Sequence, residues 1–278
     1  MTLRGQPAHF AVKAVYTGKE LELSAFSTYV ERTIALPEGT DLTRITTGVA
    51  LDPDGSIRHV PTKIIQKEGR YYAKLSSLDN GTYAVVQHSA AFPDMAGHWA
   101  EETVKDLGSR LIVNGTDSGL YDPDREMTRA EFAAILVRGL GLKPESGAVP
   151  FTDVSEGEWY TGVIHTAAAY QLAGGFQNGS FQPEAKITRE QAMVMIARAM
   201  QVTGLRSTLS EEDAGSAQLH RFEDRSEASE WALASLEAVL QEGIAGGRTG
   251  QRLEPQALVT RAEVAVMIGR LLRESGLI

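Results

Sequence analysis

Three nearly identical stretches carry the residues with the most chemistry to offer: "MTRAEFAAILVRGL" from 127, "ITREQAMVMIARAM" from 187 and "VTRAEVAVMIGRLL" from 259. Each reads as the opening of a helix. Thr128 with Glu131 and Thr260 with Glu263 form a capping box, and Thr188 with Gln191 its amide variant. That leaves Arg129, Arg189 and Arg261, which capping does not require and which the positive end of the helix dipole opposes. Two readings stand side by side. One is a solvated side chain, or a salt bridge to an acid such as Asp94. The other is an anion site, in which exposed N–H groups at the helix start and a guanidinium fork attract a carboxylate or phosphate. A second arginine in each helix, Arg138, Arg198 and Arg270, reads as a mid-helix ion pair.

The elements that position these residues repeat as well. Trp99, Trp159 and Trp231 each precede the threonine by 29 residues, Gly115, Gly175 and Gly247 follow the tryptophan by 16, and Pro123, Pro183 and Pro255 precede the threonine by five. Each unit opens on Phe-x-Asp, with Asp94, Asp153 and Asp224, whose carboxylates are expected to cap the first helix or its preceding turn. The phenylalanines read as core anchors. The tryptophans fit either a core or a surface on which a sugar could stack. Agreement at so many offsets means three copies of one supersecondary unit. Each copy has a short helix beginning at the tryptophan, a glycine-containing loop and a second helix. Apolar residues stand four, seven, eight and twelve places past each threonine, so three equal stripes can bury one another in a central bundle of approximate threefold symmetry. "KPESGAVP" and "TGLRSTLSEEDAGSAQLHR" read as exposed linkers between copies.

The first 90 residues read as five to seven short strands in a small antiparallel sandwich, with turn signals at Thr17-Gly18, Asp54-Gly55 and Asn80-Gly81. No convergent chemistry marks them. The chain of 278 residues has no cysteine, which excludes disulfides and cysteine-ligated metals, and a net charge of −9, which argues against non-specific nucleic-acid binding. Asp117, Asp122, Asp124 and Glu126 lack the spacing of a calcium loop. Phosphate-binding loops, zinc-protease and hydrolase motifs do not occur, so neither a cofactor nor a metal is expected. No apolar run reaches membrane-spanning length, and no leader is visible at Met1, where the chain is expected to be a piece of a larger exported protein.

The repeated unit resembles the S-layer homology domain, through Phe-x-Asp, the tryptophan before the first helix, the loop glycines and Thr-Arg-Ala-Glu. The copies are not identical: Tyr160 stands where copy one has Ala100, and Leu253 where the others have Tyr121 and Phe181. The resemblance implies an α+β multidomain protein. A β-sandwich-like domain (1–90) would precede a mainly helical, pseudo-threefold three-pronged spindle of repeats at 91–142, 150–203 and 221–275 around three central helices. It further implies a non-enzymatic, secreted bacterial module that anchors non-covalently to a pyruvylated secondary cell-wall polysaccharide linked to peptidoglycan. The glycan would lie in grooves between repeats, the arginines would meet the pyruvate carboxylate, and the tryptophans and glycines would shape the grooves. The candidate glycan-binding set is thus Arg129, Arg189, Arg261, Trp99, Trp159, Trp231, Asp94, Asp153, Asp224, Gly115, Gly175 and Gly247, on a monomeric chain with no membrane partner. A glycan-processing surface enzyme and a self-assembling lattice unit are the alternatives.

Overall fold

In the computed structural model, residues 1–205 and 218–278 are described; the second expected linker lies largely outside them. Strands β1 (Thr2–Phe10), β2 (Val12–Tyr16), β3 (Lys19–Leu23), β4 (Ala25–Ala35), β5 (Thr47–Leu51), β6 (Ile57–Val60), β7 (Thr62–Lys67), β8 (Arg70–Asp79) and β9 (Gly81–Gln87) come first. They number nine, more than expected, because the chain between 47 and 67 breaks into three short strands rather than two. All pair antiparallel, in the orders β1-β9-β5-β6, β4-β8-β7 and the isolated hairpin β2-β3. Thr17 and Gly18 close that hairpin with φ of 47° and 76°, the left-handed pair that a two-residue turn needs. Asn80-Gly81 does something else. β8 pairs with β4 and β7 while β9 pairs with β1 and β5, so this dipeptide carries the chain from one sheet to the other instead of closing a hairpin. The two larger sheets share a core of Ile34, Ala50, Val60, Leu75, Tyr83 and Val85.

Helices α1 (Glu101–Ser109), α2 (Arg129–Gly139), α3 (Thr161–Ala169), α4 (Arg189–Thr203), α5 (Leu233–Gln241) and α6 (Arg261–Glu274) follow. The first helix of a copy starts after its tryptophan rather than at it. α2, α4 and α6 each open on a complete capping box, with Thr128, Thr188 and Thr260 accepting from the N–H three residues on and the acid or amide there returning the bond. Their apolar stripes, Phe132, Ile135, Leu136 and Leu140 in α2 with their counterparts in α4 and α6, are buried in one cluster. Each such side chain is worth roughly 1.5–3 kcal/mol removed from water.

Backbone bonds lock the three starts together. Met127 N–H donates to the Val259 carbonyl (3.1 Å), Val259 to Ile187 (3.2 Å) and Ile187 back to Met127 (3.0 Å), closing a ring through all three copies. The sheet region sits against the far end of α2. There Tyr29 Oη donates to Leu140 O at 2.8 Å, Arg58 Nη1 donates to Gly141 O at 2.5 Å, and Leu78 joins the helical cluster. These donors satisfy carbonyls that a helix C-terminus leaves open. Among the described residues, no helix is long and apolar enough to cross a membrane.

Candidate functional site

The arginines that open α2, α4 and α6 are buried, with 6%, 5% and 8% of their surface exposed. They reach across copies. Arg129 of copy one donates from Nε to Phe181 O (2.8 Å), from Nη2 to Gly174 O (3.2 Å) and from Nη1 to Gln191 Oε1 (3.4 Å), all in copy two. Arg189 of copy two reaches Gly246 O (2.6 Å) and Glu263 (3.4 Å) in copy three. Arg261 of copy three reaches Tyr121 O (2.6 Å) and Asn114 O (2.8 Å) in copy one. A guanidinium has five N–H donors, so each arginine keeps at least two unspent. The partners of Arg129 and Arg261 are uncharged groups, and among the described residues nothing at hydrogen-bond range cancels their charge.

This geometry corrects the exposed-N–H half of the anion-site argument, and it gives the salt-bridge alternative one instance, Arg189 with Glu263 at 3.4 Å. The helix-start N–H groups are not exposed: Arg129, Arg189 and Arg261 donate theirs to the carbonyls of Ala185, Ala257 and Arg125, and the next residues donate theirs to those of Pro183, Pro255 and Pro123. The recurring proline thus supplies a carbonyl to a neighbouring copy. The alternative salt bridge to Asp94 is absent too. Asp94 accepts from the N–H groups of Tyr121 and Asp122, Asp153 from Phe181 and Gln182, and Asp224 from Leu253 and Glu254. Asp122, Gln182 and Glu254 are held at φ of 54°, 59° and 55°. These aspartates staple a loop some 27 to 30 residues downstream, not the adjacent helix or turn. Burial alone would raise Asp94 and Asp224, but the donated N–H groups outweigh it and hold both carboxyls below the usual range.

The loop glycines are required by close approach. A Cβ on Gly175 would lie 2.7 Å from both the Phe151 ring and Ser180 O; on Gly115 and Gly247 it would meet the Phe92 and Phe222 rings at 3.0 and 2.9 Å. The Phe-x-Asp unit therefore presses its ring on the loop glycine and staples the far end of the same loop. The tryptophans settle on the surface, Trp99, Trp159 and Trp231 being 65%, 58% and 59% exposed, so the core alternative for them fails. The second arginines form no ion pair among the described residues: Arg138 donates to Ile112 O, Arg198 lies beside Gly174, and Arg270 is exposed.

One groove of about 750 Å³ gathers Trp99 and Glu126 of copy one, Arg189 of copy two, and Gly247, Arg248 and Arg270 of copy three. Three guanidiniums and three carboxylates, those of Asp124, Glu126 and Glu263, line one concave surface with an exposed indole, a combination suited to the hydroxyls and ring faces of a sugar chain. Glu263 lies in the same groove and is gripped by Arg248, Nε to Oε1 at 2.7 Å and Nη2 to Oε2 at 2.6 Å. Arg248 is one residue that the spacing rules pass over, since its counterparts are Thr116 and Phe176. Phe176 is another: the Arg129 guanidinium lies 4.8 Å from its ring and 4.8 Å from that of Phe181. No repeated pattern could mark positions that differ in every copy. Among the described residues no cluster of metal ligands occurs.

A sheet unit followed by three interlocked helix–loop–helix copies defines a tandem-repeat surface module. Residues 91–133, 150–193 and 221–265 match the model of the S-layer homology domain; the chain carries three S-layer homology domains in tandem. It is similar to an amylopullulanase of Thermoanaerobacterium thermosulfurigenes (33% identity over 70% of this chain and 10% of that protein). An exoglucanase of Acetivibrio thermocellus (32%, 69% and 17%) and the S-layer protein sap of Bacillus anthracis (30%, 66% and 22%) are similar too. The chain thus spans between a tenth and a quarter of the length of these relatives.

Proposed function

We propose that this chain is a non-covalent cell-wall anchor that binds an anionic, pyruvylated secondary cell-wall polysaccharide in grooves between its repeats, outside the cell. In this reading residues 1–90 form one domain, and 91–142, 150–203 and 221–275 form the prongs of a pseudo-threefold spindle about α2, α4 and α6. The observation that carries the proposal is a groove between copies walled by the exposed Trp99, in a repeat whose buried arginines Arg129 and Arg261 meet, among the described residues, only uncharged partners at hydrogen-bond range. Relatives named as an amylopullulanase, an exoglucanase and an S-layer protein each match about 190 residues of this chain, which supports a part that attaches rather than one that cuts. Arg129, Arg189 and Arg261 offer unspent N–H donors to a carboxylate, the tryptophans offer a face to a sugar ring, and the glycines and aspartates hold the loops that frame both.

The test is sedimentation of the purified chain with cell-wall sacculi, before and after chemical removal of the polysaccharide. Binding to intact sacculi, lost on stripping and weakened in Trp99→Ala, is the expected result. Equal binding to stripped sacculi would remove the glycan as partner. Sugar release from the wall would favour an enzyme, and concentration-dependent sheets without glycan would favour a lattice unit.

A further inference from the structure

The three arginine seats are built from one plan but are charged differently, and the difference lies at the third helical position. In copy three that residue is Glu263, which receives a bidentate grip from Arg248 and lies 3.4 Å from Arg189. In copy one it is Glu131, which is paired with Arg125 at 2.6 Å and lies within electrostatic reach of Arg261. In copy two it is Gln191, and its amide oxygen is all that faces Arg129.

The seat around Arg129 also holds a second cation. Arg198 makes no hydrogen bond or ion pair among the described residues, and a Cβ on Gly174 would lie 3.2 Å from its Nη1. The same Gly174 carbonyl takes Arg129 Nη2. Two guanidiniums thus converge on one peptide with no carboxylate between them. Asp153 acts on Arg129 from a distance, while its oxygens are spent on the loop. Burial first, then the charge of Arg198, pulls the Arg129 pKa down to about 10. Phe176 and Phe181 sheathe the guanidinium, and its unspent N–H donors sit at the Nη1 and Nη2 edge.

Building on the groove reading above, we infer that Gln191 selects where the ligand's negative group binds: the carboxylate enters the Arg129–Arg198 seat, because Glu263 fills the Arg189 seat and Glu131 repels it from the Arg261 seat at longer range. A bound carboxylate there relieves the repulsion between two cations, whereas at Arg189 it must displace an acid of the chain itself. The large groove beside Trp99 is left to the uncharged part of the sugar chain.

The swap between amide and acid is structurally clean, because Gln191 and Glu263 close the same capping box in α4 and α6. The experiment is calorimetric titration of the full chain with a methyl glycoside bearing a 4,6-pyruvate ketal, and with its methyl ester, beside thermal melting. The acid is expected to bind at one site and the ester far more weakly. Gln191→Glu should weaken the acid at least about ten-fold, the scale of one repelled charge at ion-pair distance, while melting within a few degrees of the parent. Arg198→Gln, which breaks no hydrogen bond, should weaken it as well. Glu263→Gln should raise the stoichiometry toward two. If Gln191→Glu and Arg198→Gln bind like the parent, Gln191 is not the selector and the inference falls while the anchoring reading stands. If acid and ester bind the parent equally, or neither binds, the anionic-glycan reading falls with it.

Discussion

Arg261 and Tyr121, 140 residues apart, hold each other twice: Arg261 Nε donates to the Tyr121 carbonyl at 2.6 Å, and Tyr121 Oη donates to the Arg261 carbonyl at 3.0 Å. The guanidinium also lies over the tyrosine ring, 4.5 Å from its centroid. Copy three is thereby closed onto copy one. Phe181 fills the corresponding place under Arg129 with no hydroxyl and Leu253 the third place with no ring, so the second bond is particular to this junction. Tyr121→Phe is expected to cost about 1 kcal/mol, the net worth of one buried neutral hydrogen bond, read as a shift in the urea midpoint at constant slope. A loss several times larger would mean that the hydroxyl does more than close this junction.

The same burial changes what an arginine deletion should do. Were Arg129 merely opposing a helix dipole, Arg129→Ala would leave stability unchanged or better. With its side chain threaded between Phe176 and Phe181 and bonded to two carbonyls, removal leaves those carbonyls short of a charged donor. The expected cost is roughly 2–3 kcal/mol. Arg129→Lys should recover part of the stability but little ligand affinity, since an ammonium cannot grip a loop carbonyl and a carboxylate in one plane. Denaturant titration beside calorimetry separates the two. If Arg129→Ala melts like the parent, the side chain is not the tie between copies described above.

The capping boxes, the apolar stripes and the loop glycines were all legible because side chains do the work there: Thr128 must carry a hydroxyl, Phe132 must be apolar, Gly175 must lack a Cβ. What was not legible was done by backbone. The N–H groups of Arg129, Arg189 and Arg261 end on the carbonyls of Ala185, Ala257 and Arg125, two alanines and an arginine, because any residue supplies a carbonyl. The aspartate staples were missed for a similar reason, their partners being amides far along the chain. At Asn80-Gly81 the dipeptide records a local bend, while the sheet on each side is set by distant strands, β4 and β7 before it and β1 and β5 after it.

His59 gives the sheet region a sensitivity to acid. It is 1% exposed, with Nδ1 3.0 Å from Thr47 Oγ1. Burial first, then the charge of Arg110, pulls its pKa from 6.5 to about 3. The fold keeps the ring neutral while the unfolded chain takes up a proton below pH 6.5. Stability is therefore fully present above 6.5 and falls as pH drops toward 3, by about 1.4 kcal/mol per unit. Between pH 6.5 and 5 the expected loss is roughly 2 kcal/mol, above the range in which Asp94, Asp224 and Glu263 begin to protonate. Urea midpoints across that window should slope for the parent and flatten for His59→Gln. An equal slope in both would assign the acid sensitivity elsewhere.

The helical repeats carry their own core, yet they do not ignore the sheets. Tyr29 and Arg58 donate to the carbonyls that end α2, Leu78 enters the helical cluster, and Gly141, at φ 68°, packs where a Cβ would come within 2.6 Å of Pro61. The apolar stripes of α2, α4 and α6 lie in one cluster built mostly from the helical repeats, to which the strands add Leu78 and, partly buried, Tyr29. A fragment of residues 91–278 is therefore expected to stay helical and monomeric while losing roughly 2–4 kcal/mol, from one apolar cover and two buried hydrogen bonds. Tyr29→Phe in the full chain should reproduce about 1 kcal/mol of that loss. Circular dichroism, light scattering and urea titration of the fragment decide the point. A fragment that unfolds, or that exists only as an oligomer, would mean the three copies cannot bury their stripes without the sheets, and the single-chain packing of α2, α4 and α6 would not be self-sufficient.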